Sequence, residues 1–458
     1  MQTNGCNPDK EGDQMGTTGA LIILGVTIVG IVVLCVRYRV HAFLALMAAC
    51  AFLGIASGMP LGAIGSSIEK GMGNTLGFLA PILALGAFMG KMLEVSGGAQ
   101  RLAKSLIDVF GQTKAYWAML IIGYICGIPV FAQVGMVLLM PLAFSISKES
   151  KLSILLVALS LYTGLLVVHC VVPPHPAAMA IAKELNADVG KVILYGLVLV
   201  VPGAIIGGPI FAKYISKSII VPLPEGAVTT VISKDGRDLP NFGGTLLLTL
   251  LPLILMIGKT VVEFSSSKDA AYMPLVEFLG HPVIALFISA VASLIFLGVK
   301  RGFSSIELSG FCDKSLLPMV SILLVIGAAG SFNKVIMDSG MGNVLKDVLV
   351  TLNMHPVIMA WLIASIMRFA LGSATVAMMT AAGFISPVLA VHPVDPALMC
   401  ISIGAGAIGW SHVTDSGFWF FREFLNMSVK DMYMSFTLSG CIVSIITAIF
   451  CYLASFVI

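Results

Sequence analysis

The sequence predicts an all-α polytopic membrane protein of two inverted repeats, each with five transmembrane helices and one re-entrant hairpin. That makes about ten spans, two of them broken. Three observations lead there. Of the 458 residues, 58% are hydrophobic and only 11% charged, and the mean hydropathy is +1.02, values outside the range of soluble globular domains. Apolar runs of about 17 to 25 residues recur along nearly the whole chain, each long enough to cross a hydrocarbon core ~30 Å thick as a helix. Finally, residues 90–106, "GKMLEVSGGAQRLAKSL", are similar to residues 333–349, "NKVIMDSGMGNVLKDVL", with Ser96-Gly97 answering Ser339-Gly340 about 243 positions later. His169 and His412 stand at the same separation.

In chain order, residues 1–18 carry more acid than base and lack the basic start of a secretory signal. They read as an extracytoplasmic lead to a helix that stays. Spanning helices are expected at 19–36, 42–58, 75–95, 191–212, 243–262, 281–299, 317–337 and 432–456. Four further apolar stretches are interrupted by Gly, Pro or polar residues: 115–146, 153–187, 356–391 and 395–427. The segments "RLAKSLIDVFG" and "GFSSIELSGF" are short and amphipathic, suited to the membrane interface or to a helical extension.

Basic residues accumulate on the cytoplasmic side. With both termini outside, Arg37, Arg39, Arg101, Arg237, Arg301 and Arg422 all fall there. This requires 115–146 to be a hairpin opening inward, because Lys114 precedes it and Lys148 and Lys151 follow. The stretch 356–391 is then a hairpin entering from outside, and 153–187 and 395–427 each cross once as broken helices. Each half, 19–212 and 243–458, holds an odd number of spans, so the second is inverted, as in secondary transporters whose broken helices meet near the midplane. The polar stretch 213–242 reads as the cytoplasmic link.

A net charge of +3 is too small and scattered for a nucleic-acid partner. The nine cysteines occur singly, without the spacing of a zinc site, so neither metal nor cofactor is expected. Ser, His and Asp are present for a hydrolase triad, but no GxSxG or HExxH motif accompanies them. A channel would not need inverted halves with paired hairpins.

Five stretches, "GKMLEVSGGAQRLA", "GIPVFAQVGMVLLMPL", "PPHPAAMAIA", "GSATVAMMTAAG" and "SHVTDSGFWFFREF", together resemble the gluconate permease (GntP) family of sugar-acid/proton symporters, over nearly the whole chain. The resemblance implies proton-coupled uptake of gluconate or a related small hydroxy- or amino-acid anion across the inner membrane. It also implies the ion-transporter superfamily fold, a homodimer held by a scaffold domain, and an elevator-like movement. D-serine, glycerate and uronates are alternative substrates, and sodium coupling or exchange an alternative mode. Gln133 stands where family members commonly carry glutamate, and an amide cannot titrate.

A hydroxycarboxylate in a low-dielectric cavity needs its charge met by fixed positive ends and its hydroxyls met by donors and acceptors. Helix N-termini at the hairpin tips provide the first, which draws attention to Gly127, Pro129 and Gln133 in one hairpin and to Gly372, Ser373 and Thr375 in the other. Ser373 and Thr375 offer hydroxyls, although such groups also bond back to their own helix. Arg368, the one arginine off the cytoplasmic face, must meet an anion or a carboxylate: the substrate, Asp415 or Glu94. Pro173, Pro174 and Pro176 break a helix and free its carbonyls. His175 within that break either bonds substrate or satisfies those carbonyls, and His169 has the same alternatives. In "GWSHVTDSGFW", Ser411 and Thr414 are candidate substrate contacts. Asp415, with His412 and His169, is the candidate for proton coupling, provided that it is not held in a fixed salt bridge. Lys91, Glu94, Lys334 and Asp338 read as interfacial anchors.

Overall fold

Proline and glycine mark most of the places where one helix stops and the next begins. The chain is described by a computed structural model that covers residues 17–128, 132–223, 238–265, 270–317, 319–341, 354–389, 394–412 and 415–458. All regular elements among the described residues are helical. The first half contains α1 (Thr17–Val36), α2 (Ala42–Ala56), α3 (Leu61–Val95), α4 (Gly98–Phe110), α5 (Ala115–Cys126), α6 (Ala132–Ser150), α7 (Ile154–Val171), α8 (Pro176–Glu184) and α9 (Val189–Ile215). The second contains α10 (Phe242–Ser265), α11 (Met273–Gly280), α12 (Pro282–Arg301), α13 (Ser305–Leu316), α14 (Met319–Asp338), α15 (Pro356–Leu371), α16 (Ala374–Leu389), α17 (Pro396–Ile408), α18 (Ser416–Leu425) and α19 (Val429–Ala454).

Seven of the described helices are long and apolar enough to cross a membrane. Within the interrupted stretches, α5 and α6 flank 127–131, α7 and α8 flank 172–175, α15 and α16 flank 372–373, and α17 and α18 flank 409–415. Part of the 213–242 link, residues 224–237, lies outside the described residues, as do Pro129 and Thr414.

The resemblance of 90–106 to 333–349 extends to backbone geometry. α3 ends on Ser96 and Gly97 (φ 76°), and α14 ends on Ser339 and Gly340 (φ 77°). In both, the serine hydroxyl accepts from the amide two residues on, Gly98 N at 3.2 Å and Met341 N at 3.5 Å. A left-handed residue at this position closes a helix and favours glycine, which has no Cβ to clash. Gly97 and Gly340 therefore occupy the same role about 243 positions apart.

α3 differs from its sequence reading. It begins at Leu61 rather than near 75, and takes in "GAIGSSIEKGMGN", a stretch rich in glycine and polar residues that the expected span leaves out. That segment is held in the helix by α14: a Cβ on Gly71 would lie 2.6 Å from the Gly330 carbonyl oxygen, Ser331 donates to the Ile68 carbonyl at 2.8 Å and Ser67 donates to Asp338 at 2.6 Å. Close approach through small residues is how helices pack where no water drives them together. The charged residues read as interfacial anchors pair locally, Lys334 with Asp338 at 2.6 Å and Lys91 with Glu94 at 2.7 Å.

Every residue of α7 is buried, and so is α17 from Ala397 to Ile408. These two broken helices form the centre and cross each other, with α5 along α7 and α15 along α17. The crossings are backbone-close. A Cβ on Gly123 would sit 2.3 Å from the Leu161 carbonyl oxygen, one on Gly404 2.5 Å from that of Cys170, and one on Gly406 2.4 Å from that of Trp361. Contacts also run between the halves, α16 against α8 and α6 against α18. The two helix breaks and the second hairpin tip are thereby brought to one central region.

Candidate functional site

The centre of this region is a buried ion pair. Arg368, in the last turn of α15, is 2% exposed, and Asp415, just before α18, is 4% exposed. Arg368 Nη2 donates to Asp415 Oδ2 at 2.5 Å, and Nη1 donates to the Gly372 carbonyl at 2.5 Å. Asp415 accepts two more bonds: the Ser411 hydroxyl donates to Oδ2, and the Gly417 amide donates to Oδ1 at 2.9 Å. The last of these caps α18, where a carboxylate also meets the positive end of the helix dipole. A charge this far from water is tolerable only because it is paired and hydrogen-bonded. Arg368 Nε has no hydrogen-bond partner among the described residues.

The pair fastens the second hairpin to the second helix break. Two further bonds hold the same strip of chain: His412 Nε2 meets the Phe369 carbonyl oxygen at 2.7 Å, and Thr437 of α19 donates to the Ser411 carbonyl at 2.6 Å. The His412 and Phe369 rings lie 4.6 Å apart. Trp410 takes φ 60° within the break. Arg368 thus pairs with Asp415 and not with Glu94, which Lys91 holds, so the expectation of an aspartate outside any salt bridge is not met in this conformation.

The first break meets the same place. His175 occupies the N-cap position of α8 immediately before Pro176, without a side-chain cap bond, and its ring lies 3.9 Å from that of His169 in α7, both being buried. His169, Cys170 and Tyr162 all lie within electrostatic reach of Arg368 and Asp415. His169, His175, Arg368, Gly372, Ser411, His412 and Asp415 are therefore brought together. Gly127 closes α5 and packs against Leu165 of α7, and the side chain of Gln133 in α6 lies outside the described set. The Ser373 hydroxyl accepts from the Val376 amide at 3.4 Å, turned toward the start of α16. Thr375 is half-buried one residue into that helix. Gly127 and Gly372 are the C-terminal ends of the first hairpin arms, so the dipole-positive ends belong to Ala132 and Ala374, a few residues later than the glycines themselves.

Sequence reasoning missed Tyr162. A Cβ on Gly417 would fall 2.7 Å from its hydroxyl and 3.4 Å from Asp415 Oδ1, so Tyr162 lines the capped end of α18, backed by Phe421 and Phe436. A hydroxyl inside a membrane-grade helix was the available signal. Among the described residues no group of three or more His, Cys, Asp or Glu side chains is arranged to hold a metal ion.

The chain matches the family model for GntP family permeases over residues 19–457. It is 39% identical to a gluconate permease of Pseudomonas aeruginosa over 94% of this chain and 96% of that protein. It is 40% identical to the D-serine transporter DsdX of Escherichia coli over 94% of this chain and 97% of that protein. Among solved structures, the YdaH transporter of Alcanivorax borkumensis has a similar fold, with a TM-score of 0.63 at 14% identity, covering 93% of this chain and 98% of that one. Apolar spans along the length and a full-length permease match identify a multi-pass protein of the cell membrane and not an enzyme. The chain belongs to the GntP permease family.

Proposed function

We propose that the chain carries a small carboxylate anion into the cell together with a proton, with gluconate or a related sugar acid as the first candidate. The observation that supports this reading is the buried Arg368–Asp415 pair between a hairpin tip and a helix break. In a site screened from water, a substrate carboxylate and the Asp415 carboxylate compete for one guanidinium fork. Protonation of Asp415 removes the competitor and frees Arg368 for the substrate. Proton and monovalent anion then cross as a neutral set, and both leave when Asp415 recovers its partner. Gln133 has no proton to give, so Asp415 takes the coupling role, with His169 and His412 beside it. Gly127, Pro129, Gln133, His175, Gly372, Ser373, Thr375, Ser411 and Thr414 supply the remaining contacts to hydroxyls and carboxylate.

On this reading the two halves lie inverted in the membrane and the hairpins enter from opposite sides. The block α5–α8 with α15–α18 moves in an elevator-like way against a dimeric scaffold.

Transport of D-serine is a second reading, because the D-serine transporter DsdX and the gluconate permease are almost equally similar to this chain. Both substrates present a carboxylate to Arg368, and they differ in charge. Gluconate with a proton is neutral, whereas zwitterionic D-serine with a proton carries one positive charge.

The test is uptake of labelled gluconate, D-serine and glycerate into proteoliposomes of purified protein in sodium-free buffer, with and without an inward proton gradient. Accumulation that a protonophore abolishes is the expected result. Insensitivity to membrane potential selects a sugar acid, and stimulation by an inside-negative potential selects the zwitterion. Folded protein that accumulates none of the three under a gradient overturns the reading.

A further inference from the structure

A second polar cluster lies away from the Arg368–Asp415 clamp. Asn333, in α14, is 2% exposed, yet its amide oxygen Oδ1 meets no hydrogen-bond donor among the described residues. Its amide lies against α16, where a Cβ on Gly383 would fall 1.8 Å from Oδ1. Only glycine leaves that space. One helical turn earlier on α16, and so on the same face, Thr380 is 1% exposed and its Oγ1 also has no partner. Other buried threonines here bond back to their own helix, Thr163 to the Leu159 carbonyl and Thr249 to that of Thr245, each at 2.8 Å. The hydroxyl of Thr380 makes no such bond.

The third component is Glu184, the last residue of α8, whose carboxylate lies within hydrogen-bonding reach of the Asn333 amide. Its neighbour Lys183 is engaged elsewhere, donating to the Asn74 carbonyl at 2.6 Å and lying over the Phe78 ring. Unpartnered amide oxygens and hydroxyl groups at this burial are uncommon, because each loses its hydration without compensation. Here three helices, α8, α14 and α16, the last packed against both of the others, each bring one oxygen-bearing side chain. A carboxylate, an amide carbonyl and a hydroxyl form the donor set that a hard cation takes, and a single carboxylate charge matches a monovalent one.

We propose that Glu184, Asn333 and Thr380 form a binding site for a sodium ion at the junction of α8, α14 and α16. Thr380 is seven residues along α16 from the tip residue Ser373, about 10 Å at 1.5 Å per residue. The site is thus separate from the clamp, and does not rest on the identity of the carried anion. Sodium bound there draws α14 onto the two helices that extend from the first break and the second hairpin, and stabilises that arrangement by mass action.

The experiment is thermal unfolding of purified, detergent-solubilised full-length protein without substrate, titrated with NaCl against choline chloride at constant ionic strength. The expected result is a saturable rise in Tm with sodium alone. Thr380→Val keeps the shape and removes one oxygen, and is expected to weaken the apparent sodium affinity about tenfold or more. Asp415→Asn is expected to keep the sodium response, which separates this site from the clamp. Should Thr380→Val fail to fold, binding of radioactive sodium to Glu184→Gln and Gly383→Ala takes its place, with the same loss expected. No sodium response in the parent protein, or an equal response in the variants, overturns the proposal. Its failure is also distinct from that of proton-coupled uptake, which is measured without sodium.

Discussion

The two helix breaks use one backbone plan with different chemistry. At 172–175 the chain is interrupted by prolines and closed by two adjoining histidines, His169 and His175, their rings tilted by 54°, with no Asp, Glu, Lys or Arg in the break itself. At 409–415 it is interrupted by glycine and polar residues and fastened by an arginine from the neighbouring hairpin. Proline breaks a helix by covalent geometry and needs no partner. A break made of ordinary residues must be held by side chains, and those side chains are then available for exchange with a ligand. The comparison teaches that the first break is fixed by its own covalent geometry, whereas the second depends on side chains that, on the function proposed above, open to a ligand.

The largest expected effect comes from removing one member of that fastening. Arg368→Leu leaves a buried carboxylate without its cation, which costs ~3–5 kcal/mol, so a drop in Tm and loss of substrate binding are expected. Combining it with Asp415→Leu should recover most of the stability but none of the binding, as a double-mutant cycle would record. A double variant that transports would show that the fastening is structural only.

Asp415→Asn sharpens the comparison further. The amide stands in for a protonated carboxyl, so Arg368 is permanently free for substrate. Counterflow exchange is expected to persist, while proton-driven accumulation disappears and added substrate raises the Tm more than it does for the parent protein. Accumulation at the parent level would remove Asp415 from coupling.

A steric test comes next. Gly417→Ala places a methyl group 2.7 Å from the Tyr162 hydroxyl and should destabilise by ~1–3 kcal/mol through overpacking. Adding Tyr162→Phe should recover part of it, measured by thermal unfolding of both variants. The smallest effect is expected for Ser373→Ala. Its single cap bond is long at 3.4 Å, so a loss of ~0.5–1 kcal/mol and a mild change in uptake should follow. A complete loss of uptake with normal stability would instead mark Ser373 as a direct substrate contact.

Much of this was legible in the sequence, for reasons particular residues explain. Pro173, Pro174 and Pro176 dictate a break whatever surrounds them, and Ser96-Gly97 and Ser339-Gly340 end their helices by local geometry alone. Both were readable without a partner. The start of α3 was not, because "GAIGSSIEKGMGN" is helical only through its contact with α14, and a tertiary contact of that kind leaves no local pattern. The choice of partner for Arg368 was likewise open between Asp415, Glu94 and substrate, since sequence separation carries no distance. Tyr162 was hidden for the same reason: its relation to Gly417 exists only after α7 and α18 meet.

The complete enclosure of α7 has a consequence for biosynthesis. The span Ile154–Glu184, to which α7 belongs, has an 18-residue window with a mean hydropathy of 2.3, although that window is wholly buried within the protein. In the finished molecule none of that window faces lipid. Its oiliness answers to an earlier moment, when the segment leaves the translocation machinery and must partition into the bilayer before its neighbours have wrapped it. A polar substitution at a core position of α7 should therefore act first as an insertion defect, read as glycosylation-mapped misorientation of the nascent chain, before it acts on the packing of the mature carrier.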